Sequence, residues 1–299
     1  MKKKTKIKAL GVLLLSISLI FAFTFPTYAS GISINKRELR YFETLAEKNV
    51  ERLPSVSLYL GSTQVRERAY LINDTTYIPI RAVAELAGAE VGFNSFTRVA
   101  TVKAEGLYMT VSDGGYIVFA NDRPILSKTP AVILSDGRMY APVRSVARAL
   151  SLSVEWDPSR VVRLAGSIKP IASASDAYRY DEVFWLSRII SAESRGESLL
   201  GQIAVGNVVL NRVRHKDYPN TIYGVIFDRV GGVQFSPVKN GSIYLEPTYQ
   251  SVVAARICLD GFTVSEKILF FLQPDKSTSA WIPKNRPYAF TVENHWFFN

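Results

Sequence analysis

Toward the last third of the chain, apolar positions return every three to four residues. Val183, Leu186 and Ile190 fall on one stripe, and the next position on it is Glu193, which is the spacing of a helix with one apolar face. Gly196 predicts where that helix stops. The following segment, residues 199–213, is apolar nearly all round, with Leu199, Ile203, Gly206, Leu210 and Val213 on one stripe. A helix of that kind is buried. Asn207 and Asn211 stand four apart on one of its faces, and buried amides must find hydrogen-bond partners. Residues 252–259 predict a further helix, and residues 268–272 predict a strand that pairs with the stretch around His295.

The earlier part of the chain reads differently. Leu39, Phe42, Ala46, Val50 and Leu53 keep helical spacing within residues 31–54, a charge-rich lead-in helix closed by Pro54. An internal repeat follows. Tyr77-Ile78-Pro79-Ile80-Arg81 returns 63 positions later as Tyr140-Ala141-Pro142-Val143-Arg144, and Val91-Gly92-Phe93-Asn94 returns as Val154-Glu155-Trp156-Asp157. Thr97-Arg98-Val99 matches Ser159-Arg160-Val161 with one residue deleted. Each copy predicts a strand, a proline that opens a two-turn helix, and then a strand, a polar turn and a strand. The expected architecture is α+β in two domains: a repeated strand-helix-strand domain over residues 55–165, and a mostly helical domain with a small sheet over residues 179–299. The small polar residues of 166–178 read as the linker between them.

Composition changes the picture in three places. Five lysines within residues 2–8, an apolar run over residues 9–25 and Thr27-Tyr28-Ala29 form an export signal over residues 1–30. The expected location is therefore outside the cell, the segment being either a cleaved signal or an uncleaved anchor. Without that segment the formal charge falls from +10 to +5, mildly basic, which suits an anionic polymer, is equally compatible with no charged partner, and gives no indication of a nucleic-acid partner. Cys258 is the only cysteine, so the fold rests on its core, and a small buried side chain is its expected role. His215 and His295 are the only histidines, too few for a histidine-based zinc site unless carboxylates fill in. The expectation is no metal and no cofactor.

Glu193 is the leading chemical candidate. A carboxyl group on the apolar face of a helix end is penalised when charged, which raises its pKa toward that of a general acid. Acid–base work at one carboxyl group often draws on a second one nearby. Glu197 is the nearest second acid. It fits either an active-site role or the start of the next helix, where an acid favours the dipole. Asp217, Asp228 and Glu246 stand in loops without comparable context.

The runs Ala192-Glu193-Ser194-Arg195-Gly196-Glu197, Gly201-Gln202-Ile203-Ala204-Val205, Val209-Leu210-Asn211-Arg212-Val213 and Tyr218-Pro219-Asn220-Thr221-Ile222 resemble the SleB-type cell-wall hydrolase family of spore-cortex-lytic enzymes. The likeness continues through Gly224-Val225-Ile226, Gln234-Phe235-Ser236 and Asn294-His295-Trp296-Phe297. It implies a lysozyme-like fold acting on peptidoglycan glycan strands, with Glu193 as the catalytic acid. It also implies a lytic transglycosylase, in which one glutamate serves as acid and then base while the substrate's own C6 hydroxyl attacks. A hydrolytic muramidase, an amidase and a noncatalytic wall-binding protein are the alternatives. For the sugar, the same pattern points to Phe235 with Gln234 and Ser236; Asn211, Glu197, Tyr244 and Trp281 complete the candidate set. The family often carries tyrosine or glycine just before the glutamate, where this chain has Ile190-Ser191-Ala192. The repeat resembles the N-terminal domain of copper amine oxidase, a stalk module; residues 55–165 hold no histidine, so no histidine-ligated copper site is expected. The chain is expected to act as a monomer on the wall surface.

Overall fold

The computed structural model describes residues 36–166, 169–277 and 281–299; the expected export signal, residues 1–30, lies outside them. The described residues form a mixed α+β protein with two large hydrophobic cores joined by a polar and apolar seam, and two smaller clusters beside them.

The lead-in opens as α1 (Lys36–Ala46) and then breaks. Asn49 accepts a hydrogen bond from the Glu51 N–H and starts a separate 3-10 turn, Val50–Arg52, so helical spacing does not run unbroken to Pro54. This capping competes with helix continuation because a short amide side chain satisfies an otherwise orphaned N–H. Leu45, 1 % exposed, anchors α1 on Tyr70, Tyr77 and Tyr140.

The strands that follow are β1 (Ser55–Leu60), β2 (Thr63–Gln64), β3 (Ala69–Ile72) and β4 (Thr75–Pro79). Helix α2 (Ile80–Leu86) leads into β5 (Glu90–Asn94), β6 (Val99–Ala104), β7 (Leu107–Ser112), β8 (Ile117–Ala120) and β9 (Arg123–Leu126). Next come β10 (Val132–Ile133), β11 (Met139–Pro142), helix α3 (Val143–Ala149), β12 (Ser153–Asp157) and β13 (Val161–Ala165). One sheet runs β10-β11-β4-β3-β1-β13-β12, with β2 on β1, and a second runs β5-β6-β7-β8-β9. Strands β4 and β11 pair antiparallel with Ile78 opposite Ala141, Tyr77 opposite Pro142 and Pro79 opposite Tyr140. The two motifs that recur in sequence thus face each other about a local two-fold. Arg98 and Arg160, matched in the repeat, both take positive φ (53° and 62°) in the turns after β5 and β12, a backbone state uncommon for non-glycine residues.

The segment expected as a linker lies along the first domain. Asn121 Nδ2 donates to the Ile171 carbonyl at 2.9 Å, the Ala174 N–H donates to the Asn121 carbonyl at 3.0 Å, and α4 (Ala174–Ala177) follows. Helices α5 (Tyr180–Ser194), α6 (Leu199–Arg214), α7 (Ile222–Ile226), α8 (Ser236–Asn240) and α9 (Tyr249–Leu259) then build the second domain. The sheet beside them comprises β14 (Phe270–Leu272), β15 (Tyr288–Val292) and β16 (His295–Phe298), in the order β14-β16-β15; α10 (Trp281–Asn285) precedes β15.

α6 is buried from Leu199 to Arg212 except at Leu200, as its all-round apolar character requires. It packs closely because a Cβ at Gly206 would stand 2.8 Å from Cys258 Sγ on α9 and 2.8 Å from Ile190 Cδ1 on α5. Cys258 is a core residue, 1 % exposed. Ile117, Phe119 and Leu126 of the first domain join this helical core. Arg123 NH2 reaches Asp260 Oδ1 at 2.6 Å, Arg148 NH2 lies 3.3 Å from Asp260 Oδ2, and Arg256 NH1 donates to the Asp122 carbonyl at 3.0 Å.

Candidate active site

α5 carries Glu193 one residue from its end. Leu186, Ile189 and Ile190 are fully buried on the face that leads to it, so the helix axis is fixed by packing and the carboxyl group is delivered to the helix end. Glu193 is half-buried, and among the described residues no hydrogen bond or ion pair to its carboxyl group is found. Burial alone therefore acts on it, lifting its pKa from the usual 4.5 to about 7. Such a group is a proton donor at neutral pH that is not already engaged.

The backbone just past Glu193 is held by a polar network. Ser191 Oγ accepts the Thr248 N–H at 3.2 Å, tying α5 to the segment before α9. The Glu197 carbonyl accepts from Gln202 Nε2 at 3.2 Å and from Gln250 Nε2 at 3.0 Å, and Ser251 Oγ donates to Gln202 Oε1 at 2.8 Å. Gln202 is 0 % exposed within an apolar helix. This is the same signal that Asn207 and Asn211 give in the sequence, and it could have identified Gln202 as a fixing residue.

Glu197 belongs to this scaffold. It precedes Ser198, the N-cap of α6, and its carboxylate, 7 % exposed, accepts from Asn294 Nδ2 at 3.1 Å and from the Asn294 N–H at 3.4 Å. His295 Nδ1 lies 3.7 Å away. Burial lowers the His295 pKa against the opposing pull of Glu197, which leaves the imidazole neutral near pH 7. The Ser198 N–H donates to Glu293 Oε2 at 2.7 Å. Glu197 thus straps the β15–β16 hairpin to the α5–α6 junction. Its side chain is buried and engaged by Asn294, which is the setting of a residue that holds the scaffold together.

Two further expected sugar contacts are corrected. Asn211 Nδ2 donates to the Ser265 and Ile268 carbonyls, both at 2.9 Å, and pins the loop after α9; Asn207 does the same through Phe262 and Val264. Asn211 also sits near the opposite end of α6 from the acid. Phe235 is 3 % exposed, under the Arg212 guanidinium (5.1 Å to the ring centroid) and beside Phe271. A ring sealed in the core cannot serve as a platform. Gln234 is turned onto its own loop, its Nε2 donating to the Val230 and Gly232 carbonyls, whereas Ser236 is exposed where α8 begins, and α8 packs against α5. Trp281 is 52 % exposed but stands with Phe270 and Arg286 beside the small sheet. Tyr244, 64 % exposed, is brought to α5 itself, 6.4 Å from Trp185. Nothing in the periodicity or the motifs singles out Trp185. Among the described residues, no group of three or more His, Cys, Asp or Glu is placed to hold a metal ion.

Residues 196–298 match the family described as Cell Wall Hydrolase, and residues 61–164 match the Copper amine oxidase N-terminal domain. Over 107 residues the chain is 30 % identical to the Cell wall hydrolase CwlJ of Oceanobacillus iheyensis and covers 74 % of that protein. The chain belongs to the cell wall hydrolase family. Other family relatives are the Spore cortex-lytic enzymes of Bacillus cereus (35 % identical over 41 % of this chain and 46 % of the relative) and of Bacillus subtilis (32 % identical over 42 % and 40 %). The chain thus spans less than half the length of these curated relatives. The solved catalytic domain of the germination-specific lytic transglycosylase SleB from Bacillus anthracis is 35 % identical, covering 41 % of this chain and 97 % of that one, with a TM-score of 0.38. Glu193 lies three residues ahead of the matched cell wall hydrolase segment.

Proposed function

We propose that this chain is an exported peptidoglycan-degrading enzyme that cleaves the glycan strand between N-acetylmuramic acid and N-acetylglucosamine as a lytic transglycosylase, in spore-cortex lysis or wall remodelling. The observation that carries the proposal is Glu193: a half-buried carboxyl group at the end of an apolar helix face, without a hydrogen-bond partner among the described residues, and with its pKa raised to about 7. Protonated, it donates to the glycosidic oxygen; ionised, it then accepts the proton of the attacking hydroxyl. With Glu197 occupied by Asn294, no second carboxylate is assigned to hold a water. Attack by the substrate's own C6 hydroxyl gains the advantage of an intramolecular nucleophile.

In this proposal the helical domain is lysozyme-like and works as a monomer on peptidoglycan, while the repeated domain serves as a stalk held against it. Mass spectrometry of fragments released from purified peptidoglycan tests the proposal. Products ending in 1,6-anhydro-muramic acid, lighter by one water than hydrolytic ones and lost in Glu193→Gln, are expected. Borohydride-reducible muramyl ends would establish a muramidase instead. Free stem peptides would establish an amidase, and intact strands a noncatalytic wall-binding protein.

A further inference from the structure

An aromatic ledge stands on α5 about two turns ahead of Glu193. Trp185 is half-buried at its centre, with Tyr223 at 5.3 Å, Phe227 at 5.1 Å and Tyr244 at 6.4 Å, all edge-on to it. Phe184 continues the row at 4.9 Å from Trp185. Tyr223 and Tyr244 are 54 % and 64 % exposed, although they come from different elements, α7 and the 3-10 turn Ser242–Tyr244. Beside the row, Arg188 covers the Phe184 ring at 3.7 Å and pairs with Glu246 at 2.5 Å. The Glu246 side chain is 85 % exposed, so its carboxylate has acceptor capacity left over.

We infer that this ledge is a carbohydrate-binding subsite that holds the glycan strand several sugar rings away from the bond being cut. The inference rests on the proposed function and adds to it where the strand lies. Trp185 and Glu193 are eight residues apart on one helix, about 12 Å along the axis, so a linear polymer seated at the acid has to pass somewhere at this range. Each aromatic face is electronegative and attracts the electropositive C–H faces of a pyranose, and the rings lose little entropy when a ligand settles on them. An apolar floor with a few charged groups at its rim is the usual composition of a binding site, and the Arg188–Glu246 pair supplies that rim for sugar hydroxyls.

The test is calorimetric titration of full-length Glu193→Gln protein with peptide-free glycan oligomers of alternating N-acetylglucosamine and N-acetylmuramic acid. Adding Tyr223→Ala and Tyr244→Ala together is expected to weaken binding by about tenfold or more, from two lost ring contacts. Tyr223→Phe with Tyr244→Phe, which keeps both rings, should bind as the parent does, and equal thermal midpoints confirm that the variants are folded. Cleavage by the unmodified chain is scored separately. Glu193-dependent cleavage with unchanged affinity in the double alanine variant overturns the ledge and leaves the proposed function standing. Absent cleavage with affinity lost in that variant supports the ledge and overturns the chemistry. Absent cleavage and no oligomer binding overturn both.

Discussion

Arg148 of the first domain lies 3.3 Å from Asp260 of the second, at the place where the other copy of the repeat carries Glu85. There Glu85 pairs within its own helix, with Arg81 at 3.0 Å. One helix of the repeat thus keeps its charges to itself, and the other uses them across the domain seam. Asp260 also holds Arg123, and both side chains of that pair are largely buried (9 % and 15 % exposed).

Asp260→Ala should therefore destabilise the full chain by about 3 kcal/mol, because it leaves the Arg123 charge shielded from water and unpaired. Arg148→Ala should cost less than about 1 kcal/mol, since that arginine is 46 % exposed. Urea denaturation of the three proteins ranks the effects; equal midpoints would mean that the seam is not held at Asp260.

Residues 177–299 alone should retain Glu193-dependent cleavage of sonicated peptidoglycan, because the acid and the network behind it lie within this part. The fragment should nevertheless melt lower than the same domain in the full chain. It loses the cover of Ile117, Phe119 and Leu126 and exposes the apolar surface beneath them. Calorimetry and a dye-release assay on the two proteins compare both quantities.

Glu193 links activity to stability through pH. Its pKa is near 4.5 in the unfolded chain and about 7 in the folded one. Between these values the native state holds a proton that the unfolded state has released, so stability falls as pH rises through the window and levels off above it. Glu193→Gln removes the titration. Its thermal midpoint should match the parent near pH 4 and exceed it above pH 7, while activity falls by at least about 10². Parent activity should itself decline as pH rises past 7. A midpoint difference that does not vary with pH would refute the raised pKa.

Glu197→Gln should behave in the opposite way. The amide still reaches Asn294 but repels one of its donors, so the loss is expected in stability, about 1–3 kcal/mol, with cleavage retained in the folded fraction. A folded but inactive Glu197→Gln protein would return Glu197 to the chemistry.

The helices were legible because periodicity reports which face is buried. α6 reads as buried from its composition, and the stripe through Leu186 and Ile190 leads to Glu193. The repeat also marks the strand pair that meets at Ile78 and Ala141. Tertiary closure was not legible. The family pattern offers Phe235 as a sugar platform, yet it is capped by Arg212, 23 residues earlier. Asn211 shows only that a partner must exist, and the partners, Ser265 and Ile268, are carbonyls with no side-chain signature. The seam escaped for a related reason: aligning the repeats emphasises what they share, whereas docking depends on Glu85 and Arg148, where they differ.

The sealed position of Cys258 has a practical use. Its thiol is 1 % exposed, donates to the Ile203 carbonyl at 3.4 Å, and is driven by burial far above the ordinary thiol range. A maleimide or disulfide reagent meets no thiolate until α6 and α9 part. Since the chain has no other cysteine, the rate of labelling is a clock for the opening of the helical core alone. The native protein carries a single-site reporter that reads one domain's breathing in the presence of the other, with no label engineered in.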